Sequence, residues 1–124
     1  MIARCLVVGA GGFLGAIARY AVGVWIENFW RRDFPLATFL VNVSGCFILG
    51  FFLAMATERM SISPMMRLLV ATGFVGAYTT FSTFEYETQR LTTTGAFGWA
   101  LVNVLASVAF GFLAVRLGVQ LGRR

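Results

Sequence analysis

Four hydrophobic stretches, separated by short charged segments, set the pattern of this 124-residue chain. The first runs from about Cys5 to Ile26 and is uncharged except for Arg19. Glu27, Arg31, Arg32 and Asp33 then crowd a segment closed by Pro35. The second, about Leu36 to Ala56, carries no charge and ends at Glu58, Arg59 and Pro64. A third begins near Met66 and gives way after Phe84 to Glu85, Glu87 and Arg90. The fourth spans about Ala96 to Val115, followed by Arg116 and an arginine-ended tail. Each is close to the ~20 residues that cross ~30 Å of hydrocarbon as a helix. Helix is the state expected, because an open sheet would leave backbone groups unpaired in lipid. The pattern therefore predicts an all-α integral membrane protein, one four-helix domain over residues 1–124, with helices at about 5–26, 36–56, 66–84 and 96–115. The first stretch is too long and glycine-rich for a signal peptide and has no convincing cleavage site.

Composition reinforces this. The chain is 59% hydrophobic and 12% charged, against about half and about a quarter in a soluble domain. So small a soluble fold has too much surface to hide that apolar content. All ten basic residues are arginines, giving a net charge of +5. They are scattered rather than gathered into the basic stripe of a nucleic-acid binder, which suits helix ends that reach into headgroups. The side bearing the termini carries Arg4, Arg59, Arg67, Arg123 and Arg124, with Arg116 at its margin. The other carries Arg31, Arg32 and Arg90, with Arg19 at its margin. This bias favours cytoplasmic termini only weakly and leaves insertion in both orientations open.

Several chemistries are excluded. There is no histidine, and Cys5 and Cys46 lie inside apolar stretches, so neither a zinc spacing nor a disulfide framework is present. No acidic residue lies within a span to relay protons. No nucleophile–base pair, paired-carboxylate set or phosphate-cradling loop exists, so no enzyme is expected. Gly11 and Gly15 form a GxxxG pair, which serves either packing within one chain or close approach of two helices. Four such helices enclose little volume for a solute path, so a homodimer is expected.

The third stretch is the odd one. Gly73-Phe-Val-Gly-Ala-Tyr-Thr-Thr-Phe-Ser-Thr-Phe84 places Thr79, Thr80, Ser82 and Thr83 around phenylalanines and behind glycines. Hydroxyls compete for backbone hydrogen bonds, and broken helices at membrane depth occur where backbone lines a polar cavity. A break near 76–80 and an unbroken helix whose hydroxyls bond back to it both fit. Asn42 is a lone amide in the second stretch, suited either to interhelical bonding or to a ligand path. Asn103 reads similarly, and Ser107 one turn later could share a polar track with it.

These segments resemble the CrcB/Fluc fluoride channels. Gly12-Phe-Leu-Gly-Ala-Ile-Ala-Arg19-Tyr20 is similar to that family's GGxxGAxxRY segment. Thr38-Phe-Leu-Val-Asn42-Val-Ser-Gly45-Cys-Phe47 is similar to its TLxVNxxGxF segment. Gly73 to Phe84 resembles its GFxGGxTTFSTF core, with Ala77 in place of the second paired glycine, and Glu87 fits the acidic position beyond. The resemblance implies an antiparallel, dual-topology homodimer in the inner (plasma) membrane, with two fluoride pores along its interface and an interrupted third helix. It implies that Phe81 and Phe84 offer ring edges to the anion, and that Asn42, Ser82, Thr83 and Ser107 donate hydrogen bonds. It also implies a structural sodium ion held by the Gly76 and Thr79 carbonyls. Arg19 would stand at a vestibule, either attracting anions or anchoring to polar neighbours. Two rivals remain: a small multidrug-type transporter, whose first-helix glutamate has no counterpart here, and a non-transporting assembly subunit.

Overall fold

The computed structural model describes Met1–Arg124. Three helices are long and apolar enough to cross a membrane: α1 (Ile2–Glu27), α2 (Leu36–Glu58) and α6 (Phe97–Arg123). Between α2 and α6 the chain is helical in pieces: α3 (Pro64–Arg67), a π-helical segment (Leu68–Val75), α4 (Gly76–Tyr78) and α5 (Phe81–Thr93). Local chemistry sets the starts and stops. Ser63 accepts a hydrogen bond from the Met66 amide with Pro64 in the first position, a helix start in which the missing N–H costs nothing. Gly95, at φ 81°, takes the left-handed conformation that turns α5 into α6, as glycine does just past a helix end.

The helices run past the expected limits. The fourth continues from Val115 to Arg123, and the third run continues from Phe84 to Thr93. Charged residues end a hydrophobic run, yet arginine and glutamate are good helix formers. The π winding of residues 68–75 was not expected. Such segments are usually single-turn bulges, whereas this one spans eight residues.

Two close pairs organise the chain. In the first, α1 lies parallel to the third run, with Gly11 against the Leu69 carbonyl, Gly15 against the Phe74 carbonyl and Gly73 against the Val8 carbonyl. In the second, α2 lies parallel to α6, with Gly50 against Val115, Gly118 against Phe47 and Gly122 against Phe51. The alternate order of the two pairs carries the chain back and forth four times. The Arg67 guanidinium donates to the Ala56 carbonyl at 2.7 Å, and Arg123 pairs with Glu58 at 2.8 Å, where these elements meet at the terminal side.

The GxxxG pair is therefore consumed within one chain. A methyl group at Gly15 would collide with the Phe74 backbone, while the space around Gly9 is open. Gly15→Ala should cost about 1–3 kcal/mol and lower the melting temperature in detergent. Gly9→Ala should leave it unchanged or raise it, since alanine is the better helix former.

Only 20 of the 124 residues are buried. Leu101, Leu105, Val108 and Phe112 form an exposed stripe at helical spacing along α6. Apolar surface on this scale needs lipid or another protein over it.

Candidate functional site

The site forms where the third helical run stops. Tyr78 is the last residue of α4, Thr79 (φ −80°, ψ 158°) and Thr80 (φ −151°, ψ 113°) are extended, and α5 starts at Phe81. Thr79 remains tied to the turn behind it, since its amide and its hydroxyl both donate to the Val75 carbonyl at 3.0 Å. Thr80 belongs to the turn ahead, where its hydroxyl accepts from the Thr83 amide at 3.3 Å and donates to the Thr83 hydroxyl at 2.9 Å. The adjacent threonines thus satisfy opposite helix ends, as short hydroxyl side chains do.

Asn42 reaches this point from α2. Its Nδ2 donates to the Thr80 carbonyl at 3.1 Å, and its Oδ1 accepts from the Thr80 amide at 2.8 Å. The carboxamide therefore pairs with Thr80 as a neighbouring strand would. An amide half-buried among apolar helices must find such partners, and one Nδ2 hydrogen remains free.

A cavity of about 310 Å³ opens beside the two threonines, lined by Asn42, Thr79, Thr80, Phe81, Phe84 and Ser107 among others, and no charged residue lines it. Phe84 is buried at 8% exposure, while Phe81 is 74% exposed, and their ring centroids lie 5.8 Å apart. Behind this cavity a hydrogen-bond chain joins α6 to α5. Ser107 donates to Asn103 Oδ1 at 3.5 Å, Asn103 Nδ2 donates to the Thr88 hydroxyl at 2.9 Å, and Thr88 donates to the Phe84 carbonyl at 2.8 Å. Asn103 is fully buried and lines neither of the two cavities described here.

A second cavity, of about 360 Å³, shares Thr80 with the first and is lined by Arg19, Glu27, Thr38, Thr83 and Glu87 among others. Arg19 Nε donates to the Ala77 carbonyl at 3.1 Å. A cation there complements the negative C-terminal end of a helix. Thr38 donates to Glu87 Oε1 at 2.9 Å, while Glu87 Oε2 is buried with no partner in the chain.

Asn42, Thr79, Phe81, Phe84 and Ser107 thus share one cavity, and Arg19 and Thr83 share its neighbour. Ser82 is exposed and lines neither, as does Gly76 three residues before Thr79. Sequence reasoning gave Thr80 and Thr38 no role. Thr80 lay in the hydroxyl run as a visible candidate, but its partner Asn42 is 38 residues away, and nothing local links them.

Apolar spans and a small uncharged cavity lined by an amide, hydroxyls and two phenylalanines define a multi-pass helical membrane protein with room for a small solute. Residues 6–119 match the family described as CrcB-like protein, Camphor Resistance (CrcB), and the chain belongs to that family. A protein of Acidobacterium capsulatum named fluoride-specific ion channel FluC is 51% identical over 121 residues, 98% of this chain and 97% of its own length. One of the same name from Solibacter usitatus is 44% identical over 98% of this chain and 99% of its own length. A third, from Listeria innocua and named fluoride-specific ion channel FluC 1, is 38% identical over 98% of this chain and 99% of its own length.

Proposed function

We propose that the chain is the subunit of a fluoride-selective anion channel, not an enzyme, that exports cytoplasmic fluoride across the inner (plasma) membrane. The observation that carries this is the uncharged cavity lined by Asn42, Phe81, Phe84 and Ser107. The edge of an aromatic ring is its positive part. Ring edges, hydroxyls and a spare amide hydrogen replace water around a small hard anion without holding it as tightly as a cation would, and conduction needs sites weak enough to leave. Thr83 and Ser82 supply further hydroxyls along the path, and Arg19 enriches anions in the vestibule with the N–H groups that Ala77 leaves free. Outward movement is driven by the membrane potential, at ~2.3 kcal/mol per charge per 100 mV.

The working unit in this reading is an antiparallel, dual-topology homodimer with two pores along its interface, and the interruption at Thr79–Thr80 is what brings donors to each pore. Support comes from Phe81, whose 74% exposure leaves one side of the cavity unwalled by its own chain. A second copy supplies that wall.

A structural sodium ion on the dimer axis is part of the same reading, with the Gly76 and Thr79 carbonyls of each subunit as ligands. The residues fit such an ion. The Thr79 carbonyl accepts no hydrogen bond within the chain, and the nearest atom to a methyl group placed at Gly76 would be 3.8 Å away. Free carbonyls at a helix end suit a hard cation, which when bound would neutralise converging carbonyl dipoles.

Expression in cells stripped of their own fluoride export should restore growth at fluoride concentrations that arrest the parent. Arrest at the same concentration, with the protein verified in the membrane, would overturn the proposal.

A further inference from the structure

Asn42 lies on the wall of the uncharged cavity, yet both of its amide heavy atoms are committed to the Thr80 backbone. A planar trans peptide points its N–H and its C=O in opposite directions. Because the Thr80 N–H is directed at Asn42 Oδ1, the carbonyl of the same peptide, that of Thr79, is directed away from Asn42. That carbonyl has no hydrogen-bond partner in the chain. Thr79 itself cannot set this peptide's angle from behind, because its amide and hydroxyl both bond back to Val75. Nor does the Thr80 hydroxyl set it, being engaged with Thr83.

We infer that Asn42 is a positioning residue, whose carboxamide holds the Thr79–Thr80 peptide so that the Thr79 carbonyl, directed away from Asn42, faces a cation. This rests on the sodium reading above and deepens it. One side chain on the pore wall then governs a cation site it does not touch, through a single rigid peptide. The acceptor Oδ1 carries this role. The Nδ2 group, which holds the Thr80 carbonyl with one hydrogen, is the part that can also face an anion.

That division gives the two halves of the carboxamide separable signatures. Asn42→Ala removes both, Asn42→Asp keeps the acceptor and loses the donor, and Ser107→Ala alters the same cavity without touching Thr80. Dimer stability of the purified full-length protein is followed by thermal unfolding while sodium is titrated against N-methylglucamine, because an ion that binds only the folded dimer raises stability by mass action. Wild type and Ser107→Ala should show the same sodium midpoint. Asn42→Ala should need at least about tenfold more sodium, and Asn42→Asp should stay within about threefold of wild type although its fluoride flux is impaired. If Asn42→Ala does not fold, the Asp variant decides, and a midpoint raised as far as tenfold overturns the inference. A wild-type sodium response that Asn42→Ala leaves unchanged also overturns it, and makes Asn42 an anion donor alone. Absence of any response in wild type removes the sodium site itself, and this inference with it.

Discussion

Replacing Phe81 with isoleucine is expected to cut fluoride throughput by about two- to tenfold while leaving the folded protein intact. Isoleucine keeps an apolar side chain at the cavity but removes the positive ring edge. Interactions of aromatic edges are worth about 0.5–1.5 kcal/mol beyond area burial, and each 1.4 kcal/mol is about a factor of ten. Phe81 is 74% exposed in the subunit, so shortening it leaves no void within the chain. Phe84→Ile should impair flux similarly, but Phe84 is 8% exposed, and the lost volume adds a stability cost of about 1 kcal/mol. The two variants therefore separate pore chemistry from packing. Pure packing roles predict a destabilised Phe84→Ile, a normal Phe81→Ile and nearly normal conduction wherever the protein folds. Unfolding in detergent, dimer content by cross-linking, and flux in vesicles must be measured on the same preparations. Well-folded isoleucine variants with unchanged fluoride permeation would sink the ring-edge mechanism.

The second large effect concerns orientation. Several lysines added to one terminus should force every subunit into a single orientation, because short basic segments dominate topology. If pores form only between oppositely oriented copies, flux should fall to background. Co-expression of two versions biased in opposite directions should restore it. Full activity from a population shown by protease protection to be uniformly oriented would contradict the antiparallel dimer. The arginines of the chain make the experiment feasible: Arg4, Arg59, Arg67, Arg123 and Arg124 on one side face Arg31, Arg32 and Arg90 on the other, a small bias that a few charges overturn.

Much of the architecture was legible because lipid constrains it so strongly. The apolar runs starting near Cys5, Leu36 and Ala96 correspond to α1, α2 and α6, since a hydrophobic run of that length has one stable form in a bilayer. Their ends were less legible. Arg116 and Arg90 mark where apolar character stops, but helices continue past both because charge alone does not unwind them. Gly11 and Gly15 left both packing within the chain and association between chains open, and the closeness of the Leu69 and Phe74 carbonyls assigns them to the first. The π winding of Leu68–Val75 had no sequence signal, and the backbone of α1 lies against it.

The site was legible by residue type more than by arrangement. A lone amide at Asn42 and a hydroxyl run from Thr79 to Thr83 stand out in apolar surroundings because burying them uncompensated is costly. Their geometry was not visible, since Asn42 finds its partner 38 residues on and Asn103 finds Thr88 on a different helix. Ser82 sits among the cavity-lining residues in sequence and is exposed on the subunit, outside both cavities, a placement that the motif does not show.

The most direct measurement is ion flux through the purified protein alone. Vesicles loaded with potassium fluoride and reconstituted with the protein would be diluted into fluoride-free buffer, and valinomycin added to relieve the charge left behind. A fluoride electrode would follow the release. Rapid fluoride efflux is expected, which requires valinomycin, persists without any sodium gradient, and has no counterpart when chloride replaces fluoride. Fluoride retained as in protein-free vesicles, or chloride released equally fast, would contradict a fluoride-selective channel.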